Sequence, residues 1–149
     1  MPIRFRLATR TDIPAILALL RDDRLGAMRE ASDLDAYLTA FDRMQTEGSN
    51  HLIVGEADGT VVATYQLTFI SGLSLRAARR AHIESVRVAS DARGQGIGEA
   101  MIADAETRAR AAGCALLQLT MNKSRTDAHR FYERVGFVPS HIGFKRDLT

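Results

Sequence analysis

Residues 93–98 read Arg93-Gly94-Gln95-Gly96-Ile97-Gly98, and they lie between two segments of different periodicity. Before them, His82 to Val88 alternates as a strand does. His82, Glu84, Val86 and Val88 are expected on one face, and Ile83, Ser85 and Arg87 on the other. After them, Ile97, Met101, Ala105 and Ala109, with Ile102 beside them, mark the apolar stripe of a helix that ends near Gly113. Glycines at such a turn permit positive φ and close approach of the backbone to a ligand. The helix N-terminus adds unpaired N–H groups and partial positive charge. Together these make an anion site suited to a pyrophosphate. Two common versions are excluded by the residues themselves. A P-loop ends in Gly-Lys-Ser/Thr, whereas Gly98 is followed by Glu99 and Ala100. The dinucleotide fingerprint G-x-G-x-x-G/A would put Glu99 or Met101 at its last position, depending on which glycine starts it.

Toward the N-terminus, Ile3, Phe5 and Leu7 alternate with Arg4 and Arg6, which predicts a half-buried strand. Thr11-Asp12 offers a helix start with Pro14 in the first turn, and Ile13, Ile16, Leu17 and Leu20 follow at helical spacing. Leu34, Leu38, Phe41 and Met44 predict a second helix, capped by Ser32 or Asp33. Two β-rich runs, 51–56 and 61–70, flank Asp58-Gly59, a hairpin signal. Ser71 to Ala81 reads as a loop whose Arg76, Arg79 and Arg80 are solvated, or else attract an acidic substrate. Toward the C-terminus, Ala115 to Thr120 predicts a strand and Thr126 to Val135 a helix. The last short strands are expected at Phe137–Val138 and His141–Arg146. Antiparallel hairpins followed by crossover helices argue a mixed α/β (α+β) layer fold. With no linker or repeat in sight, the 149 residues read as one domain, 1–149.

Composition narrows the function. The chain is 46% hydrophobic and 26% charged, in the globular range, which excludes disordered, collagen-like and rod-like chains. The net charge of +2 is too small to argue for nucleic acid as a partner. A single cysteine, Cys114, excludes an internal disulfide and reads as a small buried hydrophobe. His51, His129 and His141 lack metal-ligand spacing, so no metal is implied. No apolar run approaches the ~18–20 residues of a membrane span, and residues 1–8 do not read as a signal peptide. The expectation is a cytoplasmic protein with no membrane partner.

The turn Arg93 to Gly98 resembles the R/Q-x-x-G-x-G/A signature of the GNAT superfamily of N-acetyltransferases. Val86-Arg87-Val88 precedes it at the place of that family's pantetheine-pairing strand. Ala128 to Phe137, with Phe131-Tyr132 and Gly136-Phe137, resembles the family's A-x-x-F-Y-x-x-x-G-F segment. The match covers about residues 82–138 and carries its motifs in order. The resemblance implies a central, mostly antiparallel sheet splayed at its fourth strand and flanked by helices. It implies acetyl-CoA as cosubstrate, with the pyrophosphate on Arg93, Gly94, Gln95, Gly96, Ile97 and Gly98 and the pantetheine arm along Val86 and Val88. The acceptor it implies is a primary amine, of a small molecule or of a protein. Many members are homodimers, and 137–146 is a plausible pairing edge.

Acetyl transfer to an amine needs a base, an oxyanion donor and a proton for the departing thiolate. The family's pattern puts Tyr132 near the thioester sulfur and leaves Phe131 to the core. It makes the backbone N–H of Val88 the oxyanion donor. For the base, Glu84 and His82 stand out on one strand, and water is the third option. Glu84, set among apolar neighbours, is expected to be partly buried with a partner or solvent. Many relatives have asparagine where this chain has Arg125; Asn122, Ser124 and Arg125 are then the candidates to line the CoA arm. Two other readings stay open: a CoA-binding regulator without turnover, and transfer of a longer acyl group such as succinyl with help from Arg87 or the 76–80 loop. The acceptor-choosing residues are expected in the first two helices, residues 21–33 and residues 71–80.

Overall fold

The computed structural model describes residues 2–22, 30 and 33–149. In chain order these form β1 (Arg4–Leu7), a 3-10 turn (Arg10–Asp12), α1 (Ile13–Arg21), α2 (Leu34–Glu47), β2 (Asn50–Ala57) and β3 (Thr60–Ile70). Then follow β4 (Arg80–Val88), α3 (Ile97–Ala111), β5 (Leu116–Leu119) and α4 (Thr126–Arg134). The sheet order is β1-β2-β3-β4-β5; the first three pairings are antiparallel and β4–β5 is parallel. The β2–β3 hairpin turns at Asp58 and Gly59, both at positive φ, as the Asp-Gly pair predicts.

Alternation along the strands loads both faces of the sheet. On one face Tyr65, Leu67, Ala81 and Ile83 meet Met101, Ile102 and Ala105 of α3, with Phe131 and Tyr132 of α4 packed alongside. On the other, Val54 meets Ile13 and Ile16 of α1 and Phe41 of α2. Both helical faces begin at satisfied ends. Asp12 is the N-cap residue of α1, as Thr11-Asp12 predicts, and the Thr9 N–H donates to its Oδ2 at 2.7 Å, closing the 3-10 turn that precedes the helix. Asp33 caps α2 by accepting from the Asp35 N–H; its alternative, Ser32, lies outside the described residues. The Arg6 guanidinium grips Asp12 at 2.7 and 3.0 Å and holds that carboxyl down to about 2.

The helix that carries the glycine turn is anchored from inside. The buried Tyr65 hydroxyl donates to Asp104 at 2.6 Å, and Arg108 Nε donates to the same oxygen at 2.8 Å. Arg108 then reaches the Phe5 carbonyl at 3.3 Å, so α3 is tied to β3 and to β1. Such a buried network sets the position of an element more than it adds stability.

Two expectations fail here. Residues 137–149 form no strand; Val138, Ile142, Phe144 and Leu148 are 78, 82, 92 and 90% exposed. A strand needs a neighbour to take its backbone hydrogen bonds, and among the described residues the segment pairs with none. Nor is the 71–81 segment only a solvated loop. Leu75, Arg76 and Ala77 form a left-handed turn, and β4 already begins at Arg80. Arg79 lies over the Phe69 ring, 5.1 Å from its centroid, and donates to the Ala112 carbonyl at 2.6 Å.

Candidate active site

The site is created by a defect in β4. Gln66 pairs with Glu84 and Thr64 with Arg87, so two residues, Ser85 and Val86, stand opposite one, Tyr65. This is a β-bulge, and Ser85 adopts φ of 56° within it. A non-glycine residue there stores on the order of 1–3 kcal/mol of strain, which the surrounding sheet must hold.

The bulge reverses the facing of everything after it. His82 and Glu84 share the α1/α2 face with their partners Thr68 and Gln66. Val86 and Val88 do not join them, contrary to simple alternation. They pack into the α3/α4 cluster with Ala81 and Ile83, and Arg87 turns to the α1/α2 side opposite Thr64. The residues carry a trace of this shift. The apolar positions run 81, 83 and then 86, 88, a change of phase between Ile83 and Val86.

On its other edge, β4 loses its neighbour. β5 pairs only with Arg80 to Ile83, through Leu116 to Leu119. From Glu84 to Val88 the two strands part. The Ala89 N–H donates to the Val62 carbonyl at 2.8 Å, which makes Ala63 and Val88 a non-hydrogen-bonded pair. The backbone groups of Val88 therefore point away from β3 and into the gap, as do those of Val86 two residues earlier. The Val88 carbonyl accepts from Arg93 Nε at 3.2 Å on that side.

The gap leads to the glycine turn. Gly94 and Gly96 both have φ of 77°, and a Cβ at either would meet only open space. Gly96 caps α3, so the first N–H groups of that helix open into the same space. Gly98 is tight for a different reason: its Cβ would stand 3.2 Å from Phe131 Cζ, so a side chain there would push the ring by a few tenths of an ångström. Arg93, besides its bond to Val88, donates to the Asp22 carbonyl at 3.2 Å, and the Asp22 carboxylate accepts from the Ser90 N–H at 3.0 Å. The end of α1 thereby holds the turn. Gln95 is exposed and Ile97 is buried beneath it.

Tyr132 projects from α4 into the α3/α4 cluster, edge-on to Phe131 and Phe137 at 5.2 and 5.8 Å. Burial pushes its phenol above the usual tyrosine range, while the charges of Arg125 and Arg87 pull it partly back. A tyrosine kept protonated is a proton donor. Phe131 takes the packing role expected of it. Asn122 is exposed, and its side-chain oxygen accepts from the N–H and hydroxyl of Ser124 at 3.0 and 2.7 Å. This shapes the loop before α4. On the opposite face, His82 Nδ1 lies 3.3 Å from Gln118 Nε2, and Glu84 is exposed rather than partly buried. Cys114 is half-buried just before β5, at the end away from the gap. Residues 23–29, 31 and 32, most of the expected acceptor loop, lie outside the described residues. Among the described residues, no three His, Cys, Asp or Glu side chains come together to hold a metal, and no helix is long and apolar enough to cross a membrane.

The site thus spans the sheet, with the glycine turn and Tyr132 on one face, Glu84 and His82 on the other, and the gap between β4 and β5 joining them. Known proteins share the frame. The chain is 32% identical over 149 residues to the aminoalkylphosphonate N-acetyltransferase of Salmonella typhimurium, covering 99% of this chain and 94% of that one. It superposes with a TM-score of 0.94 on a Bacillus halodurans protein described as a transcriptional regulator, at 40% identity over 99% of this chain and 100% of that one. A Clostridium acetobutylicum protein solved with acetyl-CoA shares the fold at a TM-score of 0.76 and 19% identity, covering 99% and 97% of the two chains. The model of the acetyltransferase (GNAT) family matches residues 14–137. The chain belongs to that family of N-acetyltransferases.

Proposed function

We propose that this chain, acting as one domain, moves the acetyl group of acetyl-CoA directly to a primary amine. The observation that carries the reading is the unpaired edge of β4 from Glu84 to Val88, which leads to the glycine turn. The pyrophosphate would rest on the backbone of Arg93 to Gly98 and the start of α3. The pantetheine amides would take the place of the missing strand beside Val86 and Val88, filling backbone positions that β5 leaves open. Asn122 and Arg125 border the same arm.

The chemistry follows from this placement. The amine nitrogen bonds to the thioester carbon as the carbon–sulfur bond breaks. The Val88 N–H faces the gap and is placed to donate to the carbonyl oxygen as charge develops there. The departing thiolate takes its proton from Tyr132. The amine's proton goes to Glu84, to His82, or to a water that either one holds. Cys114, at the far end of β5, favours direct transfer over an acyl-cysteine.

The Salmonella relative takes, by its name, an aminoalkylphosphonate, which supports a small-molecule amine as acceptor over a protein amine. Release of free CoA thiol from acetyl-CoA, dependent on an added amine, tests the reading. A larger rate from succinyl-CoA would move it to the longer acyl group. Binding of acetyl-CoA without release for any amine would favour a regulator, the reading that the description of the Bacillus halodurans protein supports.

The chain also pairs with a second copy. The C-terminal segment exposes Ile142, Phe144 and Leu148. β5 is an edge strand beside a groove of about 240 Å³ lined in part by Leu116, Leu117 and Phe137. Light scattering should give a dimer that Phe144→Asp dissociates; a monomer at all concentrations would reject this.

A further inference from the structure

We infer that the acceptor is an amine with a compact apolar body, of about six carbons, on a short arm. This rests on the acetyl-transfer reading above and names the class of acceptor. A cavity of about 160 Å³ opens between α1, α2 and the sheet. Leu17 and Leu20 form its α1 wall, and Phe41 and Met44 its α2 wall. Its floor is Thr64, Gln66 and Ser85. The floor joins the cavity to the reacting centre, because Ser85 is the strained bulge residue next to Glu84 and Gln66 is Glu84's partner across the sheet.

The lining selects the ligand's chemistry. The Thr64 hydroxyl is already spent on the Ile53 carbonyl at 2.8 Å, so Thr64 offers the cavity little polarity. None of the described residues lining the cavity is Lys, Arg or His, so the described walls offer a phosphonate or phosphate no cation. A cavity of about 150 Å³ lined by Leu, Ile and Phe takes up benzene. A six-membered ring or a branched alkyl group of similar size therefore fits, with its amine directed past Ser85 toward Glu84. The Salmonella relative's acceptor carries an anionic body in place of an apolar one, so the two proteins would differ in specificity within one fold.

The experiment compares phenethylamine, ethylamine and 2-aminoethylphosphonate as acceptors, with free-thiol detection, in the whole protein and in Ala40→Phe. Ala40 is an exposed residue of α2 that lines the cavity, so the larger side chain can fill it without disturbing the core. Acetyl-CoA titration of both proteins checks that each is folded and loaded. The expected result is a kcat/KM for phenethylamine about a hundredfold above ethylamine, from burial of the ring. Ala40→Phe should reduce that ratio about tenfold. Equal use of ethylamine, preference for 2-aminoethylphosphonate, or a ratio that Ala40→Phe leaves unchanged would overturn the inference while leaving acetyl transfer standing. Failure to bind acetyl-CoA would overturn both.

Discussion

The Cβ position of Gly98 lies 3.2 Å from Cζ of Phe131, so the third glycine of the turn is where α4 packs against the start of α3. The glycine turn and the Phe-Tyr segment are one structural unit, although 32 residues lie between Gly98 and Phe131 in the chain. Any side chain at 98 must displace the ring. Gly98→Val should destabilise the protein by on the order of 1–3 kcal/mol, the usual range for overpacking. Phe131→Leu in the same chain should recover part of that loss. Denaturant melts of the two single variants and the double variant measure the coupling; strictly additive effects would mean that the contact is not made.

Tyr132 is half-buried, which pushes its phenol above the usual range, and it stands among aromatic rings that survive loss of a hydroxyl. Tyr132→Phe should therefore keep the fold and the affinity for acetyl-CoA while kcat falls on the order of a hundredfold. Steady-state kinetics paired with a binding titration separate the two. Equal kcat in both proteins would remove Tyr132 from the reaction.

Glu84 and His82 share the α1/α2 face of the sheet, the side that the proposed reaction gives to the acceptor. Glu84→Gln keeps the size of the side chain and removes its capacity to take a proton. The acid limb of the kcat/KM profile against pH should flatten, with a lower plateau. A profile that keeps its shape would pass the role to His82 or to water.

Asp12 gives a pH dependence of stability that is independent of catalysis. Its hydrogen bond from Arg6 depresses the carboxyl from the ordinary value to about 2 when folded. A depressed folded value means that the group stabilises the protein above the unfolded value, near 4. That contribution is lost as pH falls from about 4 toward 2. A shift of this size corresponds to on the order of 2 kcal/mol. Asp12→Asn should thus be less stable than the parent at pH 7 by about that amount, and the gap should narrow below about pH 4 and close near pH 2. A gap constant with pH would show that the pairing with Arg6 does not act through charge.

Much of the candidate site's frame is legible in the sequence. The turn at 93–98 announces itself because glycine spacing reports backbone conformation directly, and Phe131-Tyr132 followed by Gly136-Phe137 fixes where the closing helix must lie. The bulge was harder to see. Its only mark is the phase change between Ile83 and Val86, which moved Val86 and Val88 to the face opposite Glu84. The C-terminal strands were read from the alternation of Ile142 and Phe144, yet alternation records only which side chains seek burial. Whether a strand forms depends on pairing with a neighbouring edge, and among the described residues 137–149 make no such pairing. Arg79 escapes a sequence reading for a related reason. Its partners, the Phe69 ring and the Ala112 carbonyl, are close in space and distant in sequence.

The central claim is that the turn from Arg93 to Gly98 holds the pyrophosphate of acetyl-CoA. Calorimetric titration of the parent protein and of Gly96→Asp with acetyl-CoA tests it most directly. A Cβ at Gly96 meets nothing within the protein, so the variant introduces charge without a clash, although its left-handed φ adds modest strain. The account predicts one molecule bound per parent chain in the low-micromolar range, and no measurable binding by a Gly96→Asp protein that is still folded. Equal binding by both, or none by the folded parent, would contradict it.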